Sequence, residues 1–381
     1  MENKEKVAEA LLEIADGLEK GDCKEKIRVG LTTPGSEHGE KELLKGARLA
    51  DQKVDYIEPV LIGREKPAGI EHHSCQDLES AHTRMEKLLE TGEIDCAVTL
   101  HYSFPLGTAT VGRVIAPCSG QEMLIATTTG SSASDRVEAM VKNALAGLAS
   151  AGALGIDEPE LGILNVEGAR KTEQKLLELQ ENGLGIKFAE SARGDGGRVM
   201  RGNDLLLGSC DVMVCDTLTG NLLMKLFSAR EGGGNREVVG FGYGPGIGEG
   251  QDGIIGIISR ASGAAVISGA IKYIAEAKRG NLLEKYEKVL QEARTAGLED
   301  ILAEDRDEKT AGDEDISAPP EKNTDAEIAG LDVLDIEKAR QSLWQEDIYA
   351  ETGMGCSGPV VMVAREDQKA ARSHLEKKGY I

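Results

Sequence analysis

Cys356 stands in the segment Gly353-Met354-Gly355-Cys356-Ser357-Gly358-Pro359, immediately before the apolar run Val360-Val361-Met362-Val363-Ala364. Glycines on both sides let a backbone approach a substrate closely, and a strand behind them would fix the sulfur as a nucleophile. A free cysteine also packs well as a small apolar side chain at a strand start, and this segment alone leaves both readings open. Cys118, in Pro117-Cys118-Ser119-Gly120, repeats the Cys-Ser-Gly order and is the rival nucleophile. Cys96, Cys210 and Cys215 fall in or beside strand-like runs and read as core.

A second kind of chemistry is suggested at three strand ends. Leu164-Asn165-Val166-Glu167-Gly168 precedes a helix, and Cys215-Asp216-Thr217-Leu218-Thr219-Gly220-Asn221 leads from a strand into another. Ligands of parallel sheets bind outside the carboxyl ends of strands, and helix N-termini favour anions. Asn165, Asp216, Thr217 and Asn221 therefore make a phosphate pocket, or cap their helices and nothing more. At Ile258-Ser259-Arg260 an arginine could clamp a phosphate with two hydrogen bonds, or lie on the surface. The glycine-rich stretch 240–253 ends in a Gly-x-G-x-x-Gly match, but Gly253 runs straight into Ile254-Ile255-Gly256-Ile257-Ile258 and opens no helix, so a dinucleotide site is disfavoured and a wide loop expected. Glu71-His72-His73-Ser74-Cys75 reads as a polar loop rather than a metal site, and no cofactor is expected.

The elements that must position these groups follow from length and periodicity. The chain has 381 residues, 40% hydrophobic and 29% charged, enough for one large core or two linked ones. Strand-like runs at 27–31, 59–62, 97–100, 123–126, 161–164, 212–215, 238–241 and 254–258 alternate with helical stretches, which predicts an α/β protein with a largely parallel sheet covered on both faces. Val7, Leu11, Ile14 and Leu18 give an amphipathic helix within residues 1–22, ahead of an α/β domain over 23–298. From 299 to 327 the chain carries twelve acidic residues against three basic, so 299–330 is expected to be a solvated linker. Residues 331–381 then form a small helix-loop-strand-helix module carrying Cys356. A net charge of −22 argues against nucleic acid. No apolar run approaches the roughly 20 residues of a membrane span, and a charged N-terminus with seven cysteines, an odd number, fits a cytoplasmic protein with reduced thiols.

The span from Leu161-Gly162-Ile163-Leu164-Asn165-Val166-Glu167 through Cys210–Asn221 resembles the acyl phosphate transferases of fatty acid and phospholipid synthesis, which carry Gly-Leu-Leu-Asn-x-Gly and Asp-Val-Val-Val-Cys-Asp-Gly-x-x-Gly-Asn at similar separation. It is also similar to phosphate acetyl and butyryl transferases, in which a pair like Ser259-Arg260 contacts the acyl phosphate. The resemblance covers residues 26 to 280 and implies a three-layer α/β/α fold like that of isocitrate and isopropylmalate dehydrogenases. Glu167 stands where those families have glycine. With its N-terminal helix, acidic span and Gly-Met-Gly-Cys-Ser-Gly-Pro tail, the whole chain resembles the alpha subunits of component C of glycine, sarcosine and betaine reductase complexes.

That resemblance implies a ketoacyl synthase-like beta subunit as partner, a selenoprotein delivering a carboxymethyl group, an acetyl thioester on Cys356, and acetyl phosphate as product. Phosphate would attack the thioester while backbone N–H groups around Gly355 and Ser357 stabilise the oxyanion. A linker of about 25 residues would reach roughly 25 to 30 Å. Two other readings compete: a stand-alone phosphate acyltransferase using coenzyme A or acyl carrier protein, and a non-catalytic scaffold subunit.

Overall fold

A computed structural model describes residues 26–194, 196–303, 317–331, 336–355, 358–378 and 380–381. The expected N-terminal helix, residues 304–316 of the acidic span, Cys356 and Ser357 lie outside the described residues.

The first half of the main domain supplies strands β1 (Ile27–Thr32), β2 (Ile57–Gly63), β3 (Glu71–Ser74), β4 (Cys96–Thr99), β5 (Thr108–Ile115) and β6 (Glu122–Ser131), with helices α1 (Glu40–Lys53), α2 (Leu78–Glu90) and α3 (Arg136–Ala153). The second half supplies β7 (Glu160–Leu164), β8 (Lys187–Phe188), β9 (Val199–Met200), β10 (Val212–Val214), β11 (Gly244–Ile247) and β12 (Ile255–Ile257), with α4 (Ala169–Glu181), α5 (Gly202–Leu207), α6 (Thr217–Ala229), α7 (Ala264–Arg279) and α8 (Leu282–Thr295). The strands form one sheet in the order β3-β2-β1-β4-β12-β11-β5-β6-β10-β7-β8, with β9 beside β7. Successive side chains of a strand point to opposite faces. Accordingly Val212 and Val214 join one core with α1, α3, α7 and α8, whereas Met213 and Cys215 join the other with α2, α5 and α6. This is the expected three-layer α/β/α arrangement.

The middle of the sheet departs from the expected pattern. β11 is antiparallel to both β12 and β5, and β5 is antiparallel to β6. Three reversals leave two parallel halves running in opposite directions. The strand expected at 238–241 is absent from those residues; its place is taken by Gly244-Pro245-Gly246-Ile247, inside the stretch read as a loop. A side chain at Gly244 would meet Val111 O at 1.7 Å, and its φ of +85° suits glycine, so the glycines allow close strand packing here. The histidine cluster is likewise a strand: β3 pairs with β2, and His72 Nε2 lies 2.9 Å from Gly63 O.

The C-terminal module contains β13 (Ala326–Ala329), α9 (Ile336–Gln345), β14 (Ala350–Gly355), β15 (Gly358–Val363) and α10 (Gln368–Lys378). Its antiparallel sheet, β13-β15-β14, has its own core of Ile328, Ile336, Leu343, Val361, Val363 and Leu375. Two strands are thus added to the expected helix-loop-strand-helix. The chain leading to Cys356 is strand rather than loop as far as Gly355, which pairs with Gly358. Within the span expected to be a solvated linker, residues 299–303 and 326–329 are structured. Residues 298–303 are helical and bury Leu298, Ile301 and Leu302 in the main core, while β13 belongs to the module.

Candidate functional site

The parallel halves place the predicted site residues in two groups. β7 and β10 are neighbours in register, so Asn165 and Asp216 follow adjacent strand ends. Asn165 is exposed and donates its backbone N–H to Met200 O (2.9 Å). Nearby, Glu167 forms an ion pair with Arg136 (3.1 Å). Asp216 caps α6: Oδ1 accepts from Thr219 N (3.1 Å) and Oδ2 from Thr219 Oγ1 (2.6 Å). Thr217 Oγ1 donates to Gly130 O (2.6 Å) and Asn221 Nδ2 to Thr128 O (3.2 Å). The helix thereby lies against Thr127-Thr128-Thr129-Gly130-Ser131-Ser132, a hydroxyl-rich strand end that the sequence reading passed over. Gly220 makes this approach possible, since a Cβ there would lie 1.7 Å from Thr127 O. Five hydroxyl residues around one glycine at a strand end were the available signal.

Ser259 and Arg260 follow β12, which runs the other way, so the expected common edge for strand ends 164, 215 and 258 is not formed. The reversals at β11 and β5 are the cause. What connects the groups is α6. Lys225 lies eight residues beyond Thr217, roughly 12 Å along a helix at 1.5 Å per residue. Its Nζ donates to Ser259 Oγ and to Glu237 Oε1, each at 2.7 Å. Glu237 also accepts from Tyr243 OH (3.1 Å) and from Ser262 Oγ (2.8 Å). Its side chain is 1% exposed, that of Lys225 46%. Burial, reinforced by the Glu237 charge, pushes the Tyr243 phenol well above the ordinary tyrosine range, so it stays a neutral donor. Arg260 is exposed and holds the loop after β1 through Glu37 N donating to its carbonyl (2.9 Å). Among the described residues its guanidinium has no ion-pair partner. Lys225 and Glu237 were not identified from sequence, because nothing local links a mid-helix lysine to a glutamate twelve residues on.

The thiols divide by environment. Cys75, Cys96, Cys210 and Cys215 are buried, and Cys118 is exposed. Burial pushes Cys210 up to about 12 and raises Cys96 and Cys215 further, which suppresses the thiolate. Core packing, as expected for Cys96, Cys210 and Cys215, accounts for these groups. Among the described residues no helix is long and apolar enough to cross a membrane.

A three-layer α/β/α domain with hydroxyl and cationic donors at its strand ends, followed by a small antiparallel module, is the class that fold and site define. The chain belongs to the fatty acid synthesis protein family, whose model matches residues 27–362. Over 380 residues, 99% of each chain, it is 48% identical to the glycine/sarcosine/betaine reductase complex component C subunit alpha of Peptoclostridium acidaminophilum. It is 27% identical over 236 residues to a phosphate acyltransferase of Thermotoga maritima, covering 52% of this chain and 68% of that one. Both resemblances read from the sequence therefore hold. A branched-chain phosphotransacylase from Enterococcus faecalis V583 superposes with a TM-score of 0.46 at 13% identity, over 66% of this chain and 99% of that chain, a likeness too slight to bear on function.

Proposed function

We propose that the chain is the alpha subunit of a component C and transfers an acetyl group from a thioester on Cys356 to phosphate, releasing acetyl phosphate. The observation that carries this reading is the 48% identity over 99% of both chains, which includes the tail with Cys356. Phosphate oxygen attacks the thioester carbonyl, and the tetrahedral intermediate collapses with cleavage of the C–S bond. The thiolate leaves, and the proton of hydrogen phosphate passes to it or to solvent. Phosphate is already anionic at neutral pH, so positioning carries most of the work. Arg260 and Ser259 are its ligands in this scheme. The α6 start, fixed by Asp216, Thr217 and Asn221 with Asn165 beside it, lies at the opposite strand ends and serves in this scheme to hold the helix whose Lys225 reaches Ser259, not as a second ligand of the same phosphate. Backbone N–H groups of Gly355 and Ser357 are assigned to the oxyanion.

The partners in this reading are a ketoacyl synthase-like beta subunit and a selenoprotein carrying a carboxymethyl group. An exposed apolar stripe on α6 is consistent with subunit contact: Leu218, Leu222 and Leu226, 79%, 57% and 55% exposed, recur every fourth residue on one helix face. The test is acetyl phosphate formation by the assembled complex containing Cys356→Ala. Loss of more than about a thousandfold is expected for removal of a covalent nucleophile. Retention of coenzyme A-dependent acetyl phosphate synthesis by that variant would instead establish the stand-alone transferase.

A further inference from the structure

Resting on the acyl phosphate reading, we infer that Lys225, anchored by Glu237, is a positioning residue that locks the Ser259 hydroxyl as a hydrogen-bond donor toward the bound phosphoryl group. A serine hydroxyl has one O–H donor and two acceptor lone pairs. At Ser259 Oγ both lone pairs are engaged, by Lys225 Nζ at 2.7 Å and by Ala261 N at 3.1 Å. Its proton is therefore the hydrogen-bonding capacity left, on a partly exposed residue next in the chain to the exposed Arg260. A hydroxyl in this state cannot accept, so it selects an anion over a donor-bearing ligand. The neighbouring ammonium polarises the O–H bond and strengthens the donation.

The lysine is held by more than one contact. Glu237 is fully buried, and its two oxygens receive Lys225, Tyr243 and Ser262. Backbone bonds fix both ends of the unit, with Glu237 N donating to Ala261 O (3.0 Å) and Gly263 N to Glu237 O (2.8 Å). Lys225 is thus part of a preorganised frame built around the 259–262 turn rather than a surface lysine sampling its rotamers. The frame also extends toward the first site group, because Thr128 Oγ1 donates to Tyr243 O (2.7 Å) while Thr128 O accepts from Asn221.

The experiment is a double-variant cycle on the full chain carrying Cys356→Ala, so that the probe binds without being consumed, with acetyl phosphate as the probe and calorimetric Kd as the readout. Ser259→Ala and Lys225→Met should each weaken binding about tenfold, the value of one hydrogen bond to a charged group. The double variant should be no weaker than Ser259→Ala alone, and Lys225→Arg should stay within about threefold of the Cys356→Ala parent. A purely structural lysine would not produce that non-additivity. Should Lys225→Met fail to fold because Glu237 is left unpaired, Lys225→Gln with Glu237→Gln removes both charges and is read by the same ratio. Multiplicative losses, or unchanged binding by the lysine variants, overturn the positioning role while leaving acyl phosphate binding intact. Absence of binding by the Cys356→Ala parent overturns the proposed function and this inference together.

Discussion

At the scale of single residues, the side chains that frame the site under the proposed function differ from those available to an anion. Asp216 was legible as either a helix cap or a phosphate residue, and its two oxygens are both given to Thr219, so its contribution is to hold α6. Arg260 is the opposite case: its carbonyl is used by Glu37 and its guanidinium is exposed. Replacing it with alanine is expected to raise the KM for phosphate by roughly ten- to a hundredfold with little change in kcat, as for loss of ground-state binding through charged hydrogen bonds. Lysine should restore only part, since it lacks the bidentate fork. Steady-state kinetics at varied phosphate decides this, and an unchanged KM would make Arg260 an ordinary surface residue.

At the scale of elements, α6 is the part that matters most and was least readable. Its boundaries follow from Asp216 and from the strand before it, but its path depends on three antiparallel pairings that no local pattern announces. The buried parallel strands were legible because runs such as Cys96-Ala97-Val98-Thr99 are apolar on both faces. β11 was not, since Gly244-Pro245-Gly246 offers no β-branched side chain and is a strand through close packing, whereas β5 carried the signal in Thr108, Thr110, Val111, Val114 and Ile115, interrupted by Gly112 and Arg113, and it was missed. β13 was hidden for another reason: Ala326 and Ile328 alternate inward with exposed Glu327, a signal of two residues within an acidic composition. α5 offers a stability test. Burial alone would raise the Asp204 pKa, but N–H donors of Arg201 and Ala192 and the Ser191 hydroxyl outweigh it and hold the carboxyl below its ordinary range. A depressed carboxyl stabilises the fold above its unfolded pKa of about 4, and that contribution is lost as pH falls through the folded value. Asp204→Asn should therefore cost about 1–3 kcal/mol at pH 7 and progressively less below pH 4 in chemical denaturation. An offset that stayed constant with pH would contradict this.

At the scale of the molecule, charge is unevenly divided along the chain. Of the net −22, the stretch 299–327 carries −9 by twelve acidic against three basic residues, so the folded parts are less acidic than the total. Under the proposed function this span tethers the Cys356 module to the phosphate site, and tethering matters through effective concentration. Cutting the chain within 304–316 and supplying the tail separately should depress turnover at low protein concentration and restore it at high concentration. Turnover independent of the cut would remove any role for the tether. The central claim remains that the acetyl group resides on Cys356 before phosphate takes it, and peptide mass spectrometry after incubating the intact protein with acetyl phosphate tests it most directly. The expected result is acetylation of Cys356 that is discharged by added phosphate; acetyl found on Cys118, with Cys356 unmodified, would contradict the claim.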